Sequence, residues 1–232
     1  MKIKKTSEFI VYNADNMNAL RRVKSNFVDA VVTDPPYGLS KEPDIEKMLI
    51  RWLKIGHYDH QSKSGFMGKE WDAFVPQPLL WKEVFRVLKP GGHALVFFGT
   101  RTYDIGVLAL RIAGFEIRDT ISWIYGQGFP KSLDVSKAID KSDKAACKVS
   151  SVDSVKCERR KDQLNGSSSV DAVKYWRGWG TALKPSQELV VLVRKPMQTS
   201  VALNVLEHRT GALNIDGCRI FTCDKLDGGA YT

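Results

Sequence analysis

Apolar positions recur along this chain with two periods, and each change of period marks a change of element. Residues 9–12, Phe-Ile-Val-Tyr, form a short apolar run closed by Asn13-Ala14-Asp15-Asn16 and read as a first strand. Met17, Leu20 and Val23 follow at helical spacing, with Asp15 or Asn16 placed to cap the helix. Residues 27–32, rich in β-branched valine, read as a second, buried strand. Residues 45–53 suit a short amphipathic helix and residues 79–88 a stronger one, which Lys89-Pro90-Gly91-Gly92 is expected to end. Residues 93–98 are almost continuously apolar, as central strands of parallel sheets are. A helix on Ile105, Leu108, Ala109 and Ile112 stops at Gly114, and strands are expected over 115–125 and 188–195. This order predicts an α/β chain with a doubly wound, mostly parallel sheet and flanking helices.

The 232 residues suit one domain, 1–232, and the hydrophobic share of 43% is ordinary for a globular protein. Residues 131–177 stand apart: eleven Lys and Arg against seven Asp and Glu, many serines, and the tract Asn165-Gly166-Ser167-Ser168-Ser169. That composition predicts an exposed, basic, mobile insertion in which Lys131, Arg159, Arg160 and Lys161 are candidate contacts to phosphates. A formal net charge of +9 favours a polyanionic partner such as nucleic acid. No apolar run approaches the roughly 20 residues of a membrane span, and the start lacks the apolar core of a signal peptide. A cytoplasmic protein with no membrane partner is expected. Cys147, Cys157, Cys218 and Cys223 include no Cys-x-x-Cys pair, and His57 and His60 have no companion ligands, so no metal site is expected.

The candidate chemistry follows the second strand, at Asp34-Pro35-Pro36-Tyr37-Gly38. Proline cannot extend a ladder and fixes φ, so the chain must leave the sheet in a stiff turn. One carboxylate, two carbonyls and one aromatic ring then sit at the carboxyl end of a strand, the edge where open α/β sheets bind ligands. Such groups can accept hydrogen bonds from an amino group while stacking on the flat ring that carries it. No cysteine follows a proline, which disfavours covalent attack on a base by a Pro-Cys thiol.

Asp34-Pro35-Pro36-Tyr37 resembles the catalytic tetrapeptide of the amino-group DNA methyltransferases, which methylate adenine N6 or cytosine N4 with S-adenosylmethionine. The helix, Pro90-Gly91-Gly92 and strand unit, and residues 66–72, are similar to segments of the phage-type, permuted members. The resemblance implies a Rossmann-like methyltransferase sheet, DNA as partner, and Asp34, Pro35, Pro36 and Tyr37 as catalytic positions. It implies Asp15 and Asp34 near the cofactor, with helix capping the structural alternative for Asp15. Tyr37 and Trp123 are implied at the pocket of an extruded base, the alternative for Trp123 being core packing that supports that pocket. Adenine is preferred over cytosine because the cytosine-N4 members more often begin the tetrapeptide with Ser.

The family's glycine-rich cofactor turn, Asp-Pro-Phe-x-Gly-Ser-Gly, has no counterpart in this sequence; Phe98-Gly99-Thr100 comes nearest. The sheet is therefore expected to be incomplete on its C-terminal side, with a second chain or a missing C-terminal segment completing the cofactor site. Two other functions fit the same residues: an RNA adenine methyltransferase, and a truncated nucleic-acid-binding protein without catalysis.

Overall fold

The computed structural model describes residues 3–5, 9–38, 42–59, 73–128, 132–149 and 169–221. The chain divides into two compact units, residues 1–122 with 189–232 and residues 123–188. The first holds a four-stranded sheet and its helices. β1 (Ile3–Lys5) and β2 (Ile10–Tyr12) form a separate antiparallel pair. The strand expected at 9–12 is thus real but lies outside the main sheet. At three residues, exposed along its length, it is too short to bury a face against helices.

Helix α1 (Asn16–Leu20) begins at Asp15, whose carboxylate accepts from the Asn18 amide at 3.2 Å. The sheet proper is β3 (Val28–Thr33), β4 (Leu88–Phe98), β5 (Glu116–Ile124) and β6 (Gln187–Arg194), in the order β3-β4-β6-β5. It is a mixed, Rossmann-like sheet: β3 and β4 run parallel, β4 and β6 antiparallel. A run such as residues 189–193 reads the same in either direction, so the sequence carries no signal for the turnaround.

Helices α2 (Ile45–Ile55), α3 (Pro78–Val87) and α4 (Tyr103–Ile112) pack on the sheet, and the core forms beneath them from Trp52, Trp81, Phe98, Leu110, Val96 and Val191. Each helix stops where the sequence lets it. Gly56 caps α2 at φ +72°, and its amide donates to the Trp52 carbonyl at 2.9 Å. Leu88 ends α3 by turning extended two residues before Pro90.

Lys89-Pro90-Gly91-Gly92, expected as a cap, belongs instead to β4. Leu88 pairs with Val28, the register then slips, and His93 resumes opposite Ala30. Those four residues form a bulge, in which Gly91 takes φ +76°. The bulge is held by α7 (Val201–His208): the buried Asn204 donates to the carbonyls of Pro90, at 3.0 Å, and Thr210, at 2.7 Å. Thr210 Oγ1 donates to the same Pro90 carbonyl. A proline-led bulge has carbonyls but too few amides, and these side chains make good the deficit. Beside it, Lys195 Nζ donates to Asn26 Oδ1 and to the carbonyls of Phe85 and Leu88, each at 2.8 Å. All three ammonium hydrogens are thereby used.

The second unit contains α5 (Val135–Val149) and α6 (Ser169–Tyr175), which pack together. The composition of 131–177 predicted loop; its described parts are largely helical. A polar amphipathic helix needs only a narrow apolar stripe, which a count of charges does not reveal.

His93 gives the sheet a pH dependence. Burial lowers its pKa from the ordinary 6.5, and Arg194 and Arg118 lower it further. Arg194 itself lies 2.6 Å from Glu116. Above 6.5 the imidazole is neutral in folded and unfolded chains alike. Below it the unfolded chain takes up the proton first, so stability is lost as pH falls through the folded value. The melting temperature of His93→Gln is expected to fall less than that of the parent between neutral and mildly acidic pH. Equal falls would show that other groups dominate.

Candidate active site

β3 and β4 are parallel neighbours, so their carboxyl ends open on the same edge, and Thr33 pairs with Val96 just before both strands end. The chain leaves β3 through Asp34-Pro35-Pro36-Tyr37 and leaves β4 through Gly99. These two exits interlock. A Cβ on Gly99 would stand 3.1 Å from Tyr37 Cδ2, so the tyrosine ring lies directly against that glycine. Thr102, only 4% exposed, donates from Oγ1 to the Tyr37 carbonyl at 2.6 Å. Its own amide donates to the Gly99 carbonyl, and its carbonyl accepts from Gly106 in the first turn of α4. Gly38 is buried at φ +66°, where a Cβ would come within 2.8 Å of the Val75 amide nitrogen. Only glycine can close this turn.

The outcome is a turn fixed at both ends with its acid outside. Pro35, Pro36 and Tyr37 are half-buried, whereas Asp34 is exposed. Among the described residues the Asp34 carboxylate has no hydrogen-bond or ion-pair partner. Rigid backbone beneath an unengaged anion is suited to receiving hydrogen bonds from a ligand.

The remaining predicted residues fall as follows. Asp15 is exposed and caps α1. Trp123 is 62% exposed in the second unit, so it is not the core support that was one of its two expected roles. A core role would need apolar cover that residues near the end of β5 do not receive. Lys131, Arg159, Arg160 and Lys161 lie outside the described residues, as do His60, residues 66–72 and Cys157 and Cys223. His57 pairs with Asp59 at 2.8 Å, and no cluster of metal-ligating side chains occurs among the described residues. No helix among them is long and apolar enough to cross a membrane. The clamp of Thr102, Gly99 and Gly38 was not anticipated. Gly38 alone carried a signal, as a glycine directly after a proline-stiffened turn.

The clamp is testable. Thr102→Val keeps the shape but removes the donor, leaving a part-buried carbonyl unsatisfied at a cost of about 1–3 kcal/mol. The turn loses its tether, and turnover at the site is expected to drop about ten- to a hundredfold. Thr102→Ser should restore most of the loss. If Val and Ser variants turn over equally, the hydroxyl does not position the turn.

A family model described as DNA methylase, of the N6/N4 methyltransferase type, matches residues 28–211. The type II methyltransferase M.HindIII of Haemophilus influenzae is 29% identical over 223 residues, 88% of this chain and 64% of its own. M.BglII, a type II methyltransferase of Bacillus subtilis, is 31% identical over 127 residues, covering 51% of this chain and 29% of its own. The chain thus spans less than two thirds of the length of these relatives. Among solved structures, the M1.HpyAVI–SAM complex matches with 12% identity and a TM-score of 0.37, covering 81% of this chain and 55% of that one. That likeness is too slight to bear on function. The family match takes in β3, the clamped turn, α2 to α4 and the rest of the sheet: the chain belongs to the N6/N4 DNA methylase family.

Proposed function

We propose that this chain carries the acceptor side of an amino-group DNA methyltransferase, transferring a methyl group to the exocyclic nitrogen of an everted base, adenine N6 ahead of cytosine N4. The observation that carries this reading is the exposed, unengaged Asp34 carboxylate on a turn clamped by Thr102 and Gly38.

An exocyclic amino group is a poor nucleophile because its lone pair is delocalised into the ring. Asp34 Oδ accepts one amino hydrogen and the Pro35 carbonyl the other, drawing the nitrogen towards tetrahedral geometry and freeing the lone pair. Tyr37 offers a π face to the base. Stacking returns about 1–3 kcal/mol against the few kcal/mol that eversion costs. The surplus proton on the methylated nitrogen leaves through Asp34 or to water. No covalent bond to the protein forms, so positioning and electrostatics supply the catalysis.

The family uses S-adenosylmethionine, which when bound supplies an electrophilic methyl group. On this reading Asp34 and Asp15 are the residues that would hold it, the Asp15 carboxylate also capping α1. The nearest glycine turn does not serve as its cradle, because the space above Gly99 is filled by Tyr37. β3 is an edge of the sheet, with Val32 71% exposed. Further polypeptide docking there, from the same or a second chain, would complete the cofactor site.

The deciding experiment is transfer of labelled methyl groups from S-adenosylmethionine to duplex DNA and to structured RNA, with the acceptor base identified by nucleoside analysis. N6-methyladenine in DNA is the expected product. Label in RNA alone would overturn the choice of polymer, and N4-methylcytosine the choice of base.

A further inference from the structure

The second unit presents an aromatic surface that the methyl-transfer chemistry does not use. Tyr175 and Trp176 meet edge to face at 5.3 Å, and Trp176 and Trp179 at 5.0 Å. Three such rings in contact would ordinarily be core, yet Tyr175 is 71% and Trp179 56% exposed.

The backbone beneath them is not loose. The Trp179 amide donates to the Trp176 carbonyl, and the Trp179 carbonyl accepts from Val135 at the start of α5, both at 3.1 Å. Gly180 bridges to Asp134, with the Ser132 hydroxyl lying against it. Gly178, at φ +84°, makes the turn between the last two rings. A hollow of about 500 Å³ lined by Ser132, Gly178, Gly180, Thr181, Ala182 and Leu183 lies alongside.

Charge identifies the ligand. Residues 172–184 contain Lys174, Arg177 and Lys184 and no carboxylate. All three cations are exposed, and none forms an ion pair among the described residues. Aromatic faces interleaved with three cations, against the single nearby carboxylate of Asp171, fit a chain of unstacked bases on phosphates.

We propose that Trp176 and Trp179, flanked by Tyr175, Lys174 and Arg177, form a stacking platform for unpaired nucleotides of single-stranded DNA. Rings held by a fixed backbone need little ordering when a strand arrives. The platform is independent of the methyl-transfer reading, because binding there requires neither cofactor nor Asp34.

The test uses the full chain without cofactor. Fluorescence anisotropy follows a labelled oligo(dT) and a duplex of equal length, and tryptophan emission is recorded in parallel. The single strand is expected to quench that emission. Trp179→Leu and Trp176→Leu are each expected to weaken strand binding about tenfold while sparing the duplex. Trp179→Phe, which keeps a π face, should recover most of the loss. Lys174→Ala with Arg177→Ala, at exposed positions that leave the packing intact, should flatten the salt dependence of strand binding. The proposal is overturned if the leucine variants bind the strand as well as the parent, or lose strand and duplex alike. It is overturned too if they abolish a concentration-dependent dimer with strand affinity intact, since the rings would then be a protein contact. Should a leucine variant fail to fold, the Phe and Lys174/Arg177 variants decide: parental salt dependence in the latter rejects the platform.

Discussion

Replacing Asp34 by alanine is expected to lower methyl transfer to DNA by about 10²–10³ or more, the scale for removing one preorganised electrostatic group from an active site. On the proposed function duplex affinity should stay near that of the parent, since phosphate contacts ordinarily supply most of the affinity for duplex DNA. Stability should change by no more than about 0.5 kcal/mol, because an exposed side chain with no partner among the described residues has little to lose. This pattern is a fall in turnover with folding and affinity preserved. It separates a catalytic acceptor from a residue that merely braces the turn, as Thr102 does.

Asp34→Asn refines the test. The amide keeps one acceptor oxygen at the same reach but gives up the charge, and charge-assisted hydrogen bonds are about twice as strong as neutral ones. The asparagine variant should therefore retain measurable transfer where the alanine variant does not. Single-turnover rates with labelled cofactor provide the measurement. Parental rates in the alanine variant would remove Asp34 from the mechanism. Equal losses in both variants would assign the effect to charge alone.

The turn was legible because proline speaks locally. Two prolines after a β-branched run fix where a strand stops, whatever packs around it, and β3 does end at Thr33. Strands at 188–195 and 115–125 and the helix closed by Gly114 were legible for the same reason, each pairing a clear period with a punctuating residue. Interactions between distant segments left no such mark. Nothing in Gly99-Thr100-Arg101-Thr102 says that the second threonine, not the first, reaches the carbonyl of residue 37. Nor does Lys89-Pro90-Gly91-Gly92 reveal that Asn204 and Thr210 hold it as a bulge. Glycine and proline announce a break in regular structure, and whether that break becomes a cap or a bulge depends on partners more than a hundred residues away. Composition was least informative within 131–177, where charge and serine argued for loop while the described residues 135–149 and 169–175 are helical.

The largest effect on stability is expected at Phe98, where the core meets the site. Its ring is fully buried, edge to face with Trp81 at 6.4 Å and with Tyr103 at 6.3 Å. It also fills the space over Gly106, where a Cβ would approach Phe98 Cε1 to 2.4 Å. Phe98→Ala should cost about 3–5 kcal/mol. That is a large share of the 5–15 kcal/mol by which domains are typically stable, and a fall of roughly 6–20 °C in melting temperature. Gly106→Ala should also destabilise, by about 1–3 kcal/mol, because the new methyl group must displace a ring that packing holds in place. The two changes occupy the same space, so they should not add. In the Phe98→Ala background the methyl group added at Gly106 enters the cavity and its cost should vanish or reverse. Thermal melts of the four proteins in this cycle give the coupling directly, and strict additivity would mean that the ring does not rest on the helix. Phe98 also adjoins Gly99, the floor beneath Tyr37. Loss of the ring should therefore lower methyl transfer at temperatures where the variant is still folded, linking the packing of the sheet to the placement of the turn.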